Sequence, residues 1–577
     1  MPLITRRRAV QTALLGSVAA CASSPEMTPF TSAAAPAEGW FGHGVASGDP
    51  REDSVVIWTR ISAEALSSPA ARRSVKWRVA DDQNFANVVA QGDAIAAASA
   101  DWTVKVVPSG LNAGRTYFYR FEFEGELSPT GRTRTLPAGN VEAARFAVVS
   151  CSNYPFGYFN VYDQIARRDD LDAVLHLGDY IYEYGREGYG GPIGEQLGRA
   201  HEPAHEILTL ADYRRRHAQY KSDPASQAMH AAHPLIAIWD DHETSNNSWK
   251  DGAENHDPLT EGAWEARRRA ALQAYYEWMP VRDPEQGAAA EALFRSYSYG
   301  DLLTLAAIET RLMARAKQFE YDEVVPTLKT PEDVERFRND ILYDASREML
   351  GEAQTDFLDR AFRQSAAKGQ PWRLVANQII MAEVIAPDLT PHVSEADIVE
   401  LEKQWDQARA FVQFSALGLP VNLDAWDGYP AARERFYRMT REAAPGGLIV
   451  VTGDTHTWWA NDLVARDGAH MGVELGVSSV TSPSPYRREF LGGKGAEYAL
   501  LTSRDNESVR YLSGEHHGYI DLEIRRDEAK ARFMAVDTVL SRDYNAFEKA
   551  SFDIKRSDED VRFGAARGLS FKEQWLF

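Results

Sequence analysis

Cysteine is nearly absent from this chain: two residues, Cys21 and Cys151, in 577. That excludes a disulfide framework, and if Cys21 is removed or lipidated no intramolecular disulfide can form at all. Long apolar runs are missing too, since nothing beyond the N-terminus is long and apolar enough to span a bilayer as a helix. Positive charge is in deficit, with 63 Lys and Arg against 84 Asp and Glu and a net charge of -21. Such a surface repels a phosphate backbone, so nucleic acid is not an expected partner, although a buried cation can still attract a small phosphate ester. There is no low-complexity tract and no internal repeat at a fixed period. What remains is a globular composition, 44% hydrophobic and 25% charged, in a chain too long for one ordinary core.

The N-terminus reads as an address. Thr5-Arg6-Arg7-Arg8 precedes a short apolar run, Ala9 to Ala20, the pattern of a twin-arginine signal for export in the folded state. Val18-Ala19-Ala20-Cys21 resembles a lipobox in which Cys21 becomes the lipidated first residue; cleavage at a plain small-residue site is the alternative. The expected location is periplasmic or extracellular, with membrane contact only through a lipid at Cys21. Residues 1–27 are thus assigned to the export signal and 28–41, rich in Ala, Pro, Ser and Thr, to a linker.

Residues 42–137 hold short alternating segments, among them Val75 to Val79 and Tyr117 to Phe123, separated by Gly, Pro and Asp. This spacing predicts a small antiparallel β-sandwich. Leu111-Asn112-Ala113-Gly114-Arg115-Thr116-Tyr117 looks like the tyrosine corner of a fibronectin-like sandwich. From Ala144 the texture becomes α/β, and residues 142–545 are predicted to form the catalytic domain, with 546–577 as a tail. Strands are expected at Arg145 to Ser150, Leu171 to Leu177, Leu235 to Trp239, Leu302 to Ile308, Trp372 to Ala376 and Gly447 to Thr452. Long helical stretches separate them.

Polar, metal-competent residues sit directly after four of these strands, as Ser150-Cys151-Ser152-Asn153, Gly178-Asp179-Tyr180-Ile181-Tyr182, Asp240-Asp241-His242-Glu243 and Gly453-Asp454-Thr455-His456. Open α/β folds build sites at such strand ends. Taken singly, Asp179 reads as a turn residue, Tyr182 as a packed aromatic and His242 as a structural histidine; together they point to one site. Asp179 and Tyr182, three apart across a turn, can face one ion, and a phenol with an ordinary pKa near ~10 needs a strongly Lewis-acidic cation to ionise. With Cys151 and His456 they make a mixed sulfur, oxygen and nitrogen set suited to ferric iron. Asp241 and Asp454, with Asp179 bridging, make an all-oxygen set suited to calcium, with manganese or magnesium as alternatives. Asn153, Asn246 and Asn247 lie near these residues in sequence, where asparagine is also ordinary turn chemistry.

These segments, with Tyr213-Arg214-Arg215-Arg216, Ala376-Asn377-Gln378 and Trp426-Asp427-Gly428-Tyr429-Pro430, resemble the PhoD-type alkaline phosphatases within the calcineurin-like and purple-acid-phosphatase-like metallophosphoesterases. The resemblance runs from about Gly42 to Asp537. It implies a metallophosphoesterase α/β sandwich with helical insertions behind the β-sandwich. It further implies ferric iron on Cys151, Asp179, Tyr182 and His456, and one or two calcium ions on Asp179, Asp241 and Asp454. A further ligand of the wider group would fall near Asn377 and Gln378. The expected reaction is hydrolysis of a small phosphate monoester by a hydroxide generated on the metal pair. His242 would touch the phosphoryl oxygen or protonate the leaving group, and Arg311, at the end of the strand Leu302 to Ile308, would clamp phosphate by analogy of position. The alternatives are a phosphodiesterase or phospholipase D-like esterase on the same site, and a non-catalytic phosphate- or metal-binding lipoprotein.

Overall fold

The computed structural model describes residues 39–62, 71–403, 405, 407–488, 493–557 and 560–568. The predicted export signal, Cys21 and most of the predicted linker lie outside the described residues. Among those described, no helix is long and apolar enough to cross a membrane.

Short apolar runs closed by Gly, Asp or Pro become the strands expected of them. Trp372–Ala376 and Leu448–Thr452 are buried at every position, as parallel strands covered on both faces must be. Thr116–Phe123 instead alternates, with Tyr117, Tyr119, Phe121 and Phe123 turned inward.

Two large sheets form the body. A ten-stranded sheet runs Val561–Arg567, Ala546–Arg556, Glu528–Val536, His517–Arg525, Ala143–Val149, Ala173–His176, Pro234–Ala237, Val45–Gly48, Val56–Arg60 and Thr103–Val106. A seven-stranded sheet runs Arg295–Tyr299, Leu303–Ala307, Trp372–Ala376, Leu448–Thr452, His470–Gly476, Trp458–Val464 and Val509–Ser513. They face each other through one core in which Phe146, Val148 and Leu175 meet Leu305, Leu374 and Ile449. The period of two sends the intervening residues outward. Ala147, Val149 and Val174 pack under helices Asn160–Ala166 and Pro224–Ala232, while Val375 and Val450 pack under Gly351–Ala367 and Pro430–Ala443. The result is an α/β protein with two sheets between helical layers.

The N-terminal strands are divided between layers. Arg72–Ala80, Val88–Ala97, Thr116–Phe123, Glu126–Leu127 and Gly131–Arg134 form a separate five-stranded sheet. Val45–Gly48, Val56–Arg60 and Thr103–Val106 pack against it through Val45, Ile57, Val104, Val75 and Phe121. Tyr117 Oη accepts from Asn112 N at 2.8 Å, the contact a tyrosine corner makes. The same Val45–Gly48 strand pairs in parallel with Pro234–Ala237, so the two regions share one sheet. Gly48 permits this junction: a Cβ there would lie 2.5 Å from the carbonyl oxygens of Leu235 and Pro280. At the other edge, Ala546–Arg556 and Val561–Arg567 are strands of the large sheet, where the sequence had suggested a tail.

Candidate metal centre

Parallel strands Ala143–Val149, Ala173–His176 and Pro234–Ala237 in one sheet, and Leu303–Ala307, Trp372–Ala376 and Leu448–Thr452 in the other, end at a common rim. The turns that follow carry the site. Cys151 (φ 61°), Asp179 (φ 54°), Asp454 (φ 61°) and His456 (φ 54°) all hold left-handed backbone. For residues with a Cβ this costs on the order of 1–3 kcal/mol each, strain that surrounding contacts must hold in place. Glu243 supplies much of that hold, its buried carboxylate accepting from Asp179 N (3.0 Å), Tyr180 N (2.5 Å) and Asp240 N (2.8 Å). Cys151 N donates to Gly178 O at 3.2 Å, and Gly453 N to Gln378 O at 2.6 Å.

Three overlapping groups gather potential ligand atoms within 4.8 Å of one another: Cys151, Asp179 and His456; Asp179, Asp241 and His242; and Asp240, Asp241 and Asp454. Tyr182 joins the first group, donating from Oη to Asp179 Oδ2 at 3.0 Å and lying 3.2 Å from His456 Nε2. His456 Nδ1 donates to Pro483 O at 3.0 Å, which fixes the tautomer and leaves the Nε2 lone pair for the cluster. Every predicted metal residue therefore reaches one place, with Asp179 shared between groups.

The electrostatics call for cations. Burial, followed by repulsion from Asp179, raises the Cys151 thiol well above its usual range. Burial, Asp179 and Cys151 do the same to Tyr182. Asp179 is raised by burial and by Asp241, Asp240 and Glu243, despite His242. Asp454 rises to about 7, chiefly from burial. Asp241 alone is held low, because Arg311, His242 and the Asn247 backbone outweigh its burial. Asp179 Oδ1, Asp240 Oδ2 and Asp241 Oδ1 are buried acceptors that receive no hydrogen bond. Buried acceptors without donors and crowded acids suit bound metal ions, which satisfy both at once.

His242 stands beside this cluster. Its Nδ1 lies 2.7 Å from Glu183 Oε2, and its ring packs on Tyr182 with centroids 4.2 Å apart. Burial disfavours its charge, but Asp241, Glu183 and Asp179 prevail and raise its pKa well above 6.5. Arg311 also arrives, wholly buried, with its donors committed: Nε to Asp240 at 2.5 Å, Nη1 to Asp424 at 2.7 Å and Nη2 to Asp454 at 3.4 Å. A phosphate would have to compete with those carboxylates. Asn377 and Gln378 spend their side-chain amides on backbone carbonyls and on Thr310. Asn377 Nδ2 donates to Ile379 O at 2.6 Å, and Gln378 bridges strand ends through Trp239 O (3.0 Å), Ile308 O (2.7 Å) and Thr310 (2.6 Å). Asn247 N donates to Asp241 Oδ2 at 2.6 Å, and Asn246 N to Glu183 Oε1 at 2.7 Å. Asn153 is buried with both amide atoms unpartnered.

Sequence reading missed Asp240, Glu183, Glu243 and Asp424. The first three adjoin named ligands, so a run of acids at a buried strand end was the available signal. Asp424 follows no strand and comes to Arg311 only through the fold.

Fold and cluster together define an α/β protein built to hold metal ions. Comparison with known proteins narrows this. The model for the PhoD-like phosphatase N-terminal domain matches residues 23–137, and that for the PhoD-like phosphatase matches residues 146–533. Alkaline phosphatase D of Bacillus subtilis (strain 168) is 34% identical over 533 residues, covering 90% of this chain and 81% of that protein. The solved structure described as "Structure of PhoD" superposes with a TM-score of 0.73 at 30% identity, covering 91% of this chain and 92% of that one. The chain belongs to the PhoD-like phosphatase family, and it is a phosphoesterase.

Proposed function

We propose that this protein is an exported alkaline phosphatase that hydrolyses small phosphate monoesters at an iron and calcium centre. Cys151, Asp179, Tyr182 and His456 would hold ferric iron, since thiolate, phenolate, carboxylate and imidazole suit a Lewis-acidic transition metal. Asp179, Asp241 and Asp454 would hold calcium, one ion or two, through oxygen alone. When bound, such cations lower the pKa of water and neutralise charge on phosphoryl oxygens.

The chain's own residues supply the rest. His242, whose Nδ1 lies 2.7 Å from Glu183 Oε2, gives its remaining N–H to the phosphoryl oxygen or to the departing alkoxide. Water oxygen adds to phosphorus and its released proton passes to solvent, the P–O ester bond breaks, and the alkoxide leaves as the alcohol with the His242 proton, which solvent then restores. Glu183 fixes the ring, and Asn246 N and Asn255 Nδ2 (2.7 and 3.1 Å) keep Glu183 in place. Arg311 acts as the fixed counter-charge that lets Asp240, Asp241 and Asp454 lie side by side. The observation that carries the reading is the convergence of the proposed ligands into overlapping groups, the atoms of each within 4.8 Å of one another, with the ring of His242 at the same place and held by Glu183. Replacing His242 with Ala should lower turnover of a phenyl phosphate ester by about 100- to 10,000-fold while metal content holds. Loss of metal instead would refute the role.

A second reading has one observation behind it. With the Arg311 guanidinium bound to Asp240, Asp424 and Asp454, this arginine is not free to clamp the second negative charge of a monoester, so diesters are expected substrates too. Turnover of a phenyl monoester against its diester by metal-loaded protein decides between them. Export is supported by the Arg6-Arg7-Arg8 leader, and folded-state export would carry a finished metal site across intact.

A further inference from the structure

The turn that carries Asp454 and His456 also forms one wall of a cavity of about 480 Å³, within the size range of small-molecule sites. Beyond Asp454, Thr455 and His456 its lining is almost wholly apolar. Trp459, Tyr486 and Tyr498 make an aromatic side, with Tyr486 and Tyr498 stacked at 4.9 Å and Trp459 edge-on to Tyr486 at 5.7 Å. Val384, Phe411 and Val421 face them. Trp459 Nε1 donates to Thr455 Oγ1 at 3.0 Å, which ties this wall to the ligand-bearing turn. Trp405, 36% exposed and packed on Phe411 at 5.2 Å, stands among the lining residues where solvent reaches the cavity. Among the described residues that line it there is no lysine or arginine, and Asp427 and Asp454 are its charged groups.

That composition decides what can enter. A sugar phosphate, a phosphoanhydride or a nucleotide tail would bring hydroxyls or negative charge to apolar walls and carboxylates, with no cation to receive them. An uncharged apolar group would be taken out of water against aromatic rings. Resting on the phosphoesterase reading, we propose that this cavity is the subsite for an apolar ester substituent, so that the enzyme prefers phosphate esters of apolar alcohols, with phosphorus at the metal cluster and the hydrocarbon beside Trp459 and Tyr486.

Metal-loaded full-length protein should be assayed on ethyl, butyl and hexyl phosphate, whose leaving groups are chemically matched, and on phenyl and 2-naphthyl phosphate. The alkyl arm tests for a chain and the aryl arm for a ring. Buried methylene groups should raise kcat/KM about fourfold each, and glycerol phosphate should be the poorest substrate. Val421→Arg and Leu401→Arg, both at half-buried lining positions, should flatten the alkyl series, lowering kcat/KM for hexyl phosphate far more than for ethyl phosphate; two variants guard against one failing to fold. Equal kcat/KM along both arms with turnover intact would overturn the subsite and leave the phosphoesterase standing. Absence of turnover on every ester would overturn that reading and the subsite with it.

Discussion

The stabilisation that bound metal gives this protein should grow as pH rises from 5 to 7. Burial, only partly offset by Arg311, raises the Asp454 carboxyl from 3.8 to about 7, and Asp179 and Asp240 move in the same direction. A carboxyl whose folded pKa exceeds its unfolded one binds extra protons in the native state. Its contribution is therefore most favourable below 3.8 and becomes a growing penalty as pH rises to about 7. At roughly 1.4 kcal/mol per pH unit, that rise costs about 4 kcal/mol at neutral pH for Asp454 alone. This is an upper figure, because its side chain keeps 19% of its surface in solvent. His242 acts in the same sense, since its raised pKa stabilises the fold below 6.5 and that stabilisation fades as pH climbs through the folded value. Asp241 and Glu183 are held low, so their contribution is lost only below their ordinary 3.8 and 4.5, outside the window. Bound cations reverse the slope, because they require the carboxylates and the Cys151 thiol deprotonated. Thermal melts followed by far-UV circular dichroism, with chelator and with metal, isolate the cluster, because buried histidines elsewhere whose pKa values are lowered, such as His176, His217 and His233, shift both samples alike. The gap between metal-loaded and chelated samples should widen with pH. A gap that narrows or stays constant from pH 5 to 7 refutes the reasoning.

Two further substitutions test the scaffold around the ligands. Arg311→Met removes the guanidinium bonded to Asp240 and leaves buried carboxylates unpaired, so chelated protein should lose about 3–5 kcal/mol in urea unfolding, and metal-loaded protein less. Gly178→Ala places a Cβ 2.4 Å from Asp240 N on backbone at φ +103°. Overpacking and backbone strain should cost roughly 2–4 kcal/mol together and lower metal content, both measurable on the purified variant; unchanged melting and metal content would contradict the turn's assigned role.

Much of the catalytic sheet was legible because its strands are local signals. Trp372 to Ala376 is a mainly apolar run, broken only by Arg373, with sharp ends, and the Gly178-Asp179 and Gly453-Asp454 steps mark where chain leaves sheet. Six candidate ligands could be named for the same reason: each lies within six residues of a strand's end. The parts that were not legible depend on pairing at long range. Val45–Gly48 joins Pro234–Ala237 across a separation no periodicity encodes, so a self-contained sandwich was expected where a shared sheet exists. Ala546–Arg556, second from the sheet's edge, alternates weakly and begins with an exposed stretch, and read as tail. The partners of Arg311 were hidden too. Position after a strand placed the residue at the rim, but only the fold shows Asp424 and Asp240 occupying its donors.

The account rests on metal ions held by side chains from several strand ends, and elemental analysis of purified, active protein tests it most directly. Iron near one equivalent and calcium at one or two per chain are expected, with both falling together in Asp179→Ala, because that carboxylate belongs to more than one ligand group. Full phosphoesterase activity in protein carrying far less than one metal ion per chain would contradict it.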